Sequence, residues 1–175
     1  MSINVSGVLT INCKTNQQSK CLQVYLNEDT RPDFPEDVSK EEAEWVEPFE
    51  FLENPDSIKE IDDKTLLVEF YPEETDFTDE AKKLIKTLLE IVQVESIIYC
   101  ELGEDWTMFE YYSKDNRQLL WAVDGLDDPV SEEKYNSFLS KEEKETYHTL
   151  LYGKDYEKQD VETVILELSR KFNNT

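Results

Sequence analysis

Apolar and polar positions along this chain fall into patterns that mark out most of its elements. In "INVSGVLTINC" and "KCLQVYLN" Val, Ile and Leu alternate with polar residues, and the polar "KTNQQS" lies between them, so an opening β-hairpin is predicted. "EDTRPDFPEDVSK" holds two prolines and five acids and reads as a connecting loop. Ser39 followed by Glu42 has capping-box spacing, which predicts a short helix from Lys40. Pro48 limits that helix by steering Glu47 out of helical geometry. "KTLLVEFYP" (64–72) is a strand ended by Pro72. Beyond Thr78, read as an N-cap, Ala81, Leu84, Ile85, Leu88, Leu89 and Val92 recur at the spacing of one buried helical stripe.

"ESIIYCEL", "WTMFEYYS" and "RQLLWAVD" are three strands joined by "GED" and "KDN", connections short enough to force an antiparallel meander. Ser131 and Ser140 both have N-cap character, Ser140 with Glu143 in the capping-box position, so 131–152 reads as two short helices or one with a break. A last helix over about 160–172 carries Val161, Val164, Ile165, Leu168 and Phe172 on one face and ends in Lys and Arg, where the helix dipole favours cations. The expected fold is α+β: a mostly antiparallel sheet, made of the N-terminal hairpin and a β-α-β-β-β meander, packed on a central amphipathic helix with a helical C-terminus.

Length and composition bound this picture. A chain of 175 residues suits a single domain over 1–175, with 28–63 as an acidic connecting segment and 131–175 as the C-terminal helices. Hydrophobic residues at 38% and aromatic ones at 11% are enough to build a core despite a net charge of −23. That charge is concentrated. Residues 1–27 hold two lysines and no acids, 134–175 hold eight acids against seven bases, and 28–133 hold 33 acids against nine bases. Such a field repels nucleic acid and anionic membranes and draws in basic proteins.

Cys13, Cys21 and Cys100 are odd in number and form no CxxC pair, which favours free thiols over a disulfide framework. The first residues lack a signal-peptide pattern and no apolar run is long enough to span a bilayer, so the expected compartment is the cytoplasm.

Catalytic and metal-binding patterns are weak. His148 is the only histidine, and its neighbours Glu145 and Tyr147 make no nucleophile–base arrangement. Three scattered cysteines and one histidine lack zinc spacing. "DGLDD" at 124–128 begins like a calcium loop, but its glycine is misplaced and the twelfth position is Tyr135. Asp56, Asp62 and Lys64 resemble a nuclease acid pair only in composition, and the chain's charge opposes a nucleic-acid substrate. Four glycines in all leave neither a P-loop nor a dinucleotide fingerprint. No catalytic residue, cofactor or metal is expected.

What remains is "SKEEAEWVEPFEFLENPDS" (39–57), where seven acids are threaded between Trp45, Phe49, Phe51 and Leu52. Glu44 and Glu47 share a helical side, and Glu41 lies one turn from Trp45. Past Pro48 the alternation of Phe49 and Phe51 with Glu50 and Glu53 predicts one inward face and one acidic face. Two arrangements are expected here, and each can hold for different residues: Trp45, Phe49 and Phe51 anchor the segment to the sheet while the acids take the water, or at least Trp45 stays partly exposed as an interface anchor ringed by carboxylates. "GEDW" (103–106) and "DGLDD" are expected at opposite ends of the meander, so only one of them joins this patch. The candidate partner-binding residues are Glu41, Glu44, Trp45, Glu47, Glu50, Glu53, Asp56, Glu104, Asp105 and Trp106.

In size, acidity and the interleaving of acids with Trp45, Phe49, Phe51 and Trp106, the chain resembles acidic bacterial immunity proteins that neutralise nuclease toxins of the contact-dependent inhibition or colicin type. The resemblance is one of composition. It implies a monomer or homodimer that is no enzyme, contacts no nucleic acid directly, and caps a basic toxin domain with carboxylates. The rival readings are a nucleic-acid mimic of the anti-restriction or anti-CRISPR type, which needs acids at phosphate-like spacing along an elongated surface, and an acidic secretion chaperone, which needs a dimerising apolar helix face.

Overall fold

In a computed structural model, which describes residues 5–71, 77–103, 106–124, 139–152 and 160–173, one strand organises the rest. β1 (Ser6–Asn12) lies between β3 (Thr65–Phe70) and β4 (Ser96–Leu102), antiparallel to both. β2 (Ser57–Glu60) extends one edge, while β5 (Trp106–Ser113) and β6 (Asn116–Asp124) extend the other, giving an antiparallel sheet in the order β2-β3-β1-β4-β5-β6. The meander of β4, β5 and β6 follows the predicted strands. β2 lies inside the stretch predicted to be a connecting segment: it is four residues long and exposes Lys59 and Glu60, a common way of blunting a sheet edge.

The predicted opening hairpin is not formed. "KCLQVYLN" belongs to a helix, α1 (Asn16–Leu26), whose N-cap Thr15 accepts a hydrogen bond at Oγ1 from the Gln18 backbone N–H at 3.0 Å. Ser19, Leu22, Tyr25 and Leu26 form its buried stripe, whereas Val24, which strand alternation groups with Leu22 and Leu26, is 42% exposed. The predicted Ser39–Glu42 pair forms, with Ser39 Oγ donating to Glu42 Oε2 at 2.7 Å and accepting from the Glu42 backbone N–H at 3.2 Å, but it closes the turn that leads into α2 (Ala43–Glu50), which starts three residues later than expected with Glu42 at its N-cap. Pro48 does not stop it. The helix runs through the proline to Glu50, because Trp45, Val46 and Phe49 must share one buried face, which only helical geometry provides.

α3 (Thr78–Lys86) continues into a π-helical turn (Thr87–Val92) that ends at Gln93 in the left-handed region, φ 61°. Thr78 is the first residue of α3 rather than its cap, and its hydroxyl donates instead to Glu101 Oε1 at 2.5 Å. α4 (Lys141–Tyr152) starts from the predicted Ser140–Glu143 capping box, and α5 (Val161–Asn173) matches the predicted last helix. Ser131 lies outside the described residues.

Both faces of the sheet are covered, which accounts for the nearly unbroken apolar runs "TLLV" and "SIIYC". Leu9, Ile11, Leu66, Val68, Phe70, Ile97 and Tyr99 meet α1, α2 and α3. Val8, Leu67, Ile98, Cys100, Phe109 and Trp121 meet α4 and α5 on the other side. Gly7 permits one close approach, since a Cβ there would lie 2.3 Å from the Phe77 ring. The architecture is α+β with a helical C-terminus, and a second helical layer joins the one expected around α3.

Candidate functional site

The acidic patch is built on α2 and on the chain either side of it. Trp45 is not an exposed anchor: it is 4% exposed, set edge-on against Tyr25 with centroids 5.2 Å apart, and Phe49 meets the same ring at 5.5 Å. Helix periodicity then decides the fate of Phe51. Because α2 continues past Pro48, Phe49 and Phe51 point in nearly opposite directions, and Phe51 is 70% exposed where alternation predicted it inward. Glu44, Glu47 and Phe51 follow at intervals of three and four, so carboxylates and an aromatic ring share the outward side.

Arg31 sharpens the field of this surface. It is the only base between Lys20 and Lys40, and its guanidinium turns inward, with Nε donating to Tyr25 O at 2.8 Å and Nη1 donating to Phe49 O. Those carbonyls belong to the last turns of α1 and α2, where helix dipoles are negative and a cation is stabilising. That cation is thus spent on the fold, which leaves Lys40 as the exposed base of the stretch. Nine of the ten acids from Glu28 to Glu50, including Glu41, Glu44, Glu47 and Glu50, stand exposed without an ion pair among the described residues.

Glu53 and Asp56 carry this field to the end of the sheet. Tyr71 N–H donates to Asp56 Oδ2 at 2.6 Å and Asp56 N–H donates to Glu69 O at 2.8 Å, which fixes the segment against β3. Partial burial raises the Glu53 carboxyl above the ordinary glutamate value, and the charges of Glu80 and Asp56 add to the shift. Glu69 is also raised, first by burial; Lys59 opposes the shift, and Glu162 and Asp56 reinforce it. Tyr71, 44% exposed, is pushed up to about 12 by partial burial and then by Glu69. Lys59 is already bonded to Glu162 at 2.7 Å and Lys83 to Glu80 at 3.0 Å. This group is crowded with like charge that a cationic partner would relieve.

Trp106 opens β5 and is half-buried, its indole laid over Gly103, where a Cβ would lie 2.2 Å from the ring. Glu104 and Asp105 lie outside the described residues. Trp106 pairs in register with Asp124, so "GEDW" and the start of "DGLDD" fall at the same end of the sheet, against expectation. That end is also Asp56's, since Tyr71 directly follows β3 where β1 and β4 begin and finish. Three strand spacings, roughly 15 Å, separate β3 from β5. The structure thus joins Glu41, Glu44, Glu47 and Glu50 along α2, joins Glu53 to Asp56, and sets Trp106 apart on the same rim.

Two acids that sequence reasoning passed over are buried: Glu101 at 7% and Glu110 at 6%. Glu101 accepts from Thr78, and Arg117 Nε donates to Glu110 at 2.9 Å. A carboxylate inside an otherwise apolar strand, as in "SIIYCEL", was the available signal. Burial pushes the Cys13 thiol up to about 11 and raises Cys100 strongly, so neither supplies a thiolate at neutral pH. All three cysteines are free. Among the described residues no group of three His, Cys, Asp or Glu is placed to hold a metal ion, and no helix is long and apolar enough to cross a membrane. No protein-family profile, curated protein or solved structure matches this chain.

Proposed function

We propose that this chain is a protein-binding inhibitor that caps a basic partner with the acidic side of α2 and the adjoining strand end. The partner class that fits is a nuclease toxin domain, and the role is that of an acidic immunity protein. One observation carries the reading: nine carboxylates from Glu28 to Glu50 stand exposed with no ion pair among the described residues, Arg31 faces inward and leaves Lys40 as the exposed base of the stretch, and Phe51 stands on the same outward side.

In this reading the unpaired carboxylates steer the partner in, and their repulsion falls once arginines or lysines lie against them. Phe51 supplies desolvated contact area at the centre, which holds the complex together and sets its lifetime. Glu53 and Glu69, whose carboxyls are raised in the free chain first by burial and then by neighbouring acids, are lowered by a cation set beside them, so binding at mildly acidic pH releases protons. The chain acts in the cytoplasm, as a monomer or homodimer, without a cofactor.

The test is affinity capture of the full chain from its own cells, followed by kinetics with the basic protein recovered. Glu44→Lys combined with Glu47→Lys slows association at least about tenfold at low salt, and the difference shrinks as salt rises. Capture of no basic protein, or association kinetics indifferent to the double reversal, removes α2 from the interface. Competition by plain duplex DNA turns the reading toward nucleic-acid mimicry.

A further inference from the structure

Lysines come together at the opposite end of the sheet. Lys14, just after β1, Lys86, the last residue of α3, and Lys114, in the turn between β5 and β6, converge on one cleft of about 320 Å³. Leu89 and Val94 give it an apolar wall, and Gln93 closes one side. All three lysines are exposed and none is in an ion pair among the described residues, in a chain with 41 acids and 18 bases. Glu90 is the acid that lines the cleft itself and has no ion pair among the described residues, and Glu95 and Asp115 line the adjoining hollow that shares Lys14, Val94 and Lys114.

The cleft wall is held in place. Gln18 accepts from the Lys14 backbone N–H at 2.8 Å through Oε1, and its Nε2 donates to Val92 O at 2.8 Å and to Gln93 O at 3.3 Å, tying the start of α1 to the end of the π-helical turn. That turn and the left-handed Gln93 are local departures from regular geometry of a kind that recurs at binding sites.

We propose that this cleft binds a small organic anion, with a phosphate or carboxylate group held among the three ammonium groups and an apolar body laid on Leu89 and Val94. Its volume is at the small end of the range for ligand sites, which suits a compact molecule rather than a polymer. The net charge of −23 does not forbid it, because ionic screening over about 8 Å at physiological salt mutes the distant carboxylates and leaves three lysines set against Glu90 and the neighbouring Glu95 and Asp115. The cleft lies roughly 20 Å along the strands from Asp56 and Tyr71, so it stands or falls independently of the acidic interface.

The test is a titration of the isotope-labelled full chain followed by amide NMR, with phenyl phosphate, phthalate and inorganic phosphate as separate probes. Saturable shifts centred on Leu89, Gln93, Val94 and Lys114 are expected, with phenyl phosphate or phthalate binding more tightly than inorganic phosphate. Saturation by only one of the two aromatic probes assigns the anionic group. Lys86→Gln combined with Lys114→Gln weakens binding by about tenfold or more, in line with the loss of two charge-assisted contacts, whereas Lys40→Gln at the start of α2 leaves it unchanged. Non-saturating shifts spread over all lysines, or equal affinity in the double variant, overturns the proposal.

Discussion

Substituting Trp45 and Phe51 separately tests the placement of the aromatic residues around α2. Trp45→Ala removes a side chain that is 4% exposed and braced by Tyr25, with the Phe49 ring 6.4 Å away. Truncation of a buried tryptophan costs about 3–5 kcal/mol, part of it the cavity left behind. Loss of the edge-to-face contact with Tyr25 belongs within that figure, since an aromatic pair accounts for about 0.5–1.5 kcal/mol. Against a total stability on the order of 5–15 kcal/mol this is a large fraction. At about 4 kcal/mol the melting temperature of a chain this size falls by roughly 8–16 °C. Phe51→Ala, at a side chain 70% exposed, changes stability by no more than about 0.5 kcal/mol. Urea denaturation of both variants, followed by far-UV circular dichroism, gives the two free energies directly. A Trp45→Ala loss below about 1 kcal/mol, or a Phe51→Ala loss above it, would refute the helical continuation through Pro48 on which both placements rest.

Further outcomes follow from the same geometry. Glu53 has a folded-state pKa raised above its unfolded value, so its ionisation destabilises the fold above that raised value and the penalty disappears as pH falls below the ordinary glutamate range. Glu53→Gln therefore raises the melting temperature at pH 7 and leaves it unchanged near pH 3, as thermal scans at the two pH values would show. Arg31→Met leaves the carbonyls of Tyr25 and Phe49 without their charged donor and costs about 1–3 kcal/mol in urea denaturation. Ser140→Ala removes the capping box of α4 and costs about 1 kcal/mol by the same measurement.

The legible parts of the fold are those whose local pattern and tertiary role agree. "ESIIYCEL", "WTMFEYYS" and "RQLLWAVD" are rich in β-branched and aromatic residues, and the turn that brings Ser113 opposite Asn116 leaves the chain little choice but to double back. α3 and α5 announce themselves because one face of each is apolar over several turns. α1 does not: outside its buried stripe it is mostly polar, and the chance alternation of Leu22, Val24 and Leu26 imitates a strand. The deciding cue was local, Thr15 with Gln18 three residues on. At Pro48 a genuine backbone preference was outweighed by the burial of three large side chains on the helix face it interrupts.

The candidate site was legible as charge but not as surface, for a related reason. Whether Trp45 faces water depends on Tyr25, a residue of the helix that the alternation concealed, so the sequence leaves both placements of Trp45 open until α1 is in place. Counting charges along the chain likewise treats Arg31 as neutralising its neighbours, although its guanidinium serves the ends of α1 and α2. Lys14, Lys86 and Lys114 look unrelated at separations of 72 and 28 residues, yet β1, α3 and the β5–β6 turn deliver them to one cleft. Among the described residues, exposed carboxylates without ion pairs line the outward side of α2, while Lys14, Lys86 and Lys114 share a cleft with Glu90 at the far end of the strands and have Glu95 and Asp115 beside it. Screening over about 8 Å lets each cluster act on its own surroundings, so the net charge of the chain does not by itself decide what either one attracts.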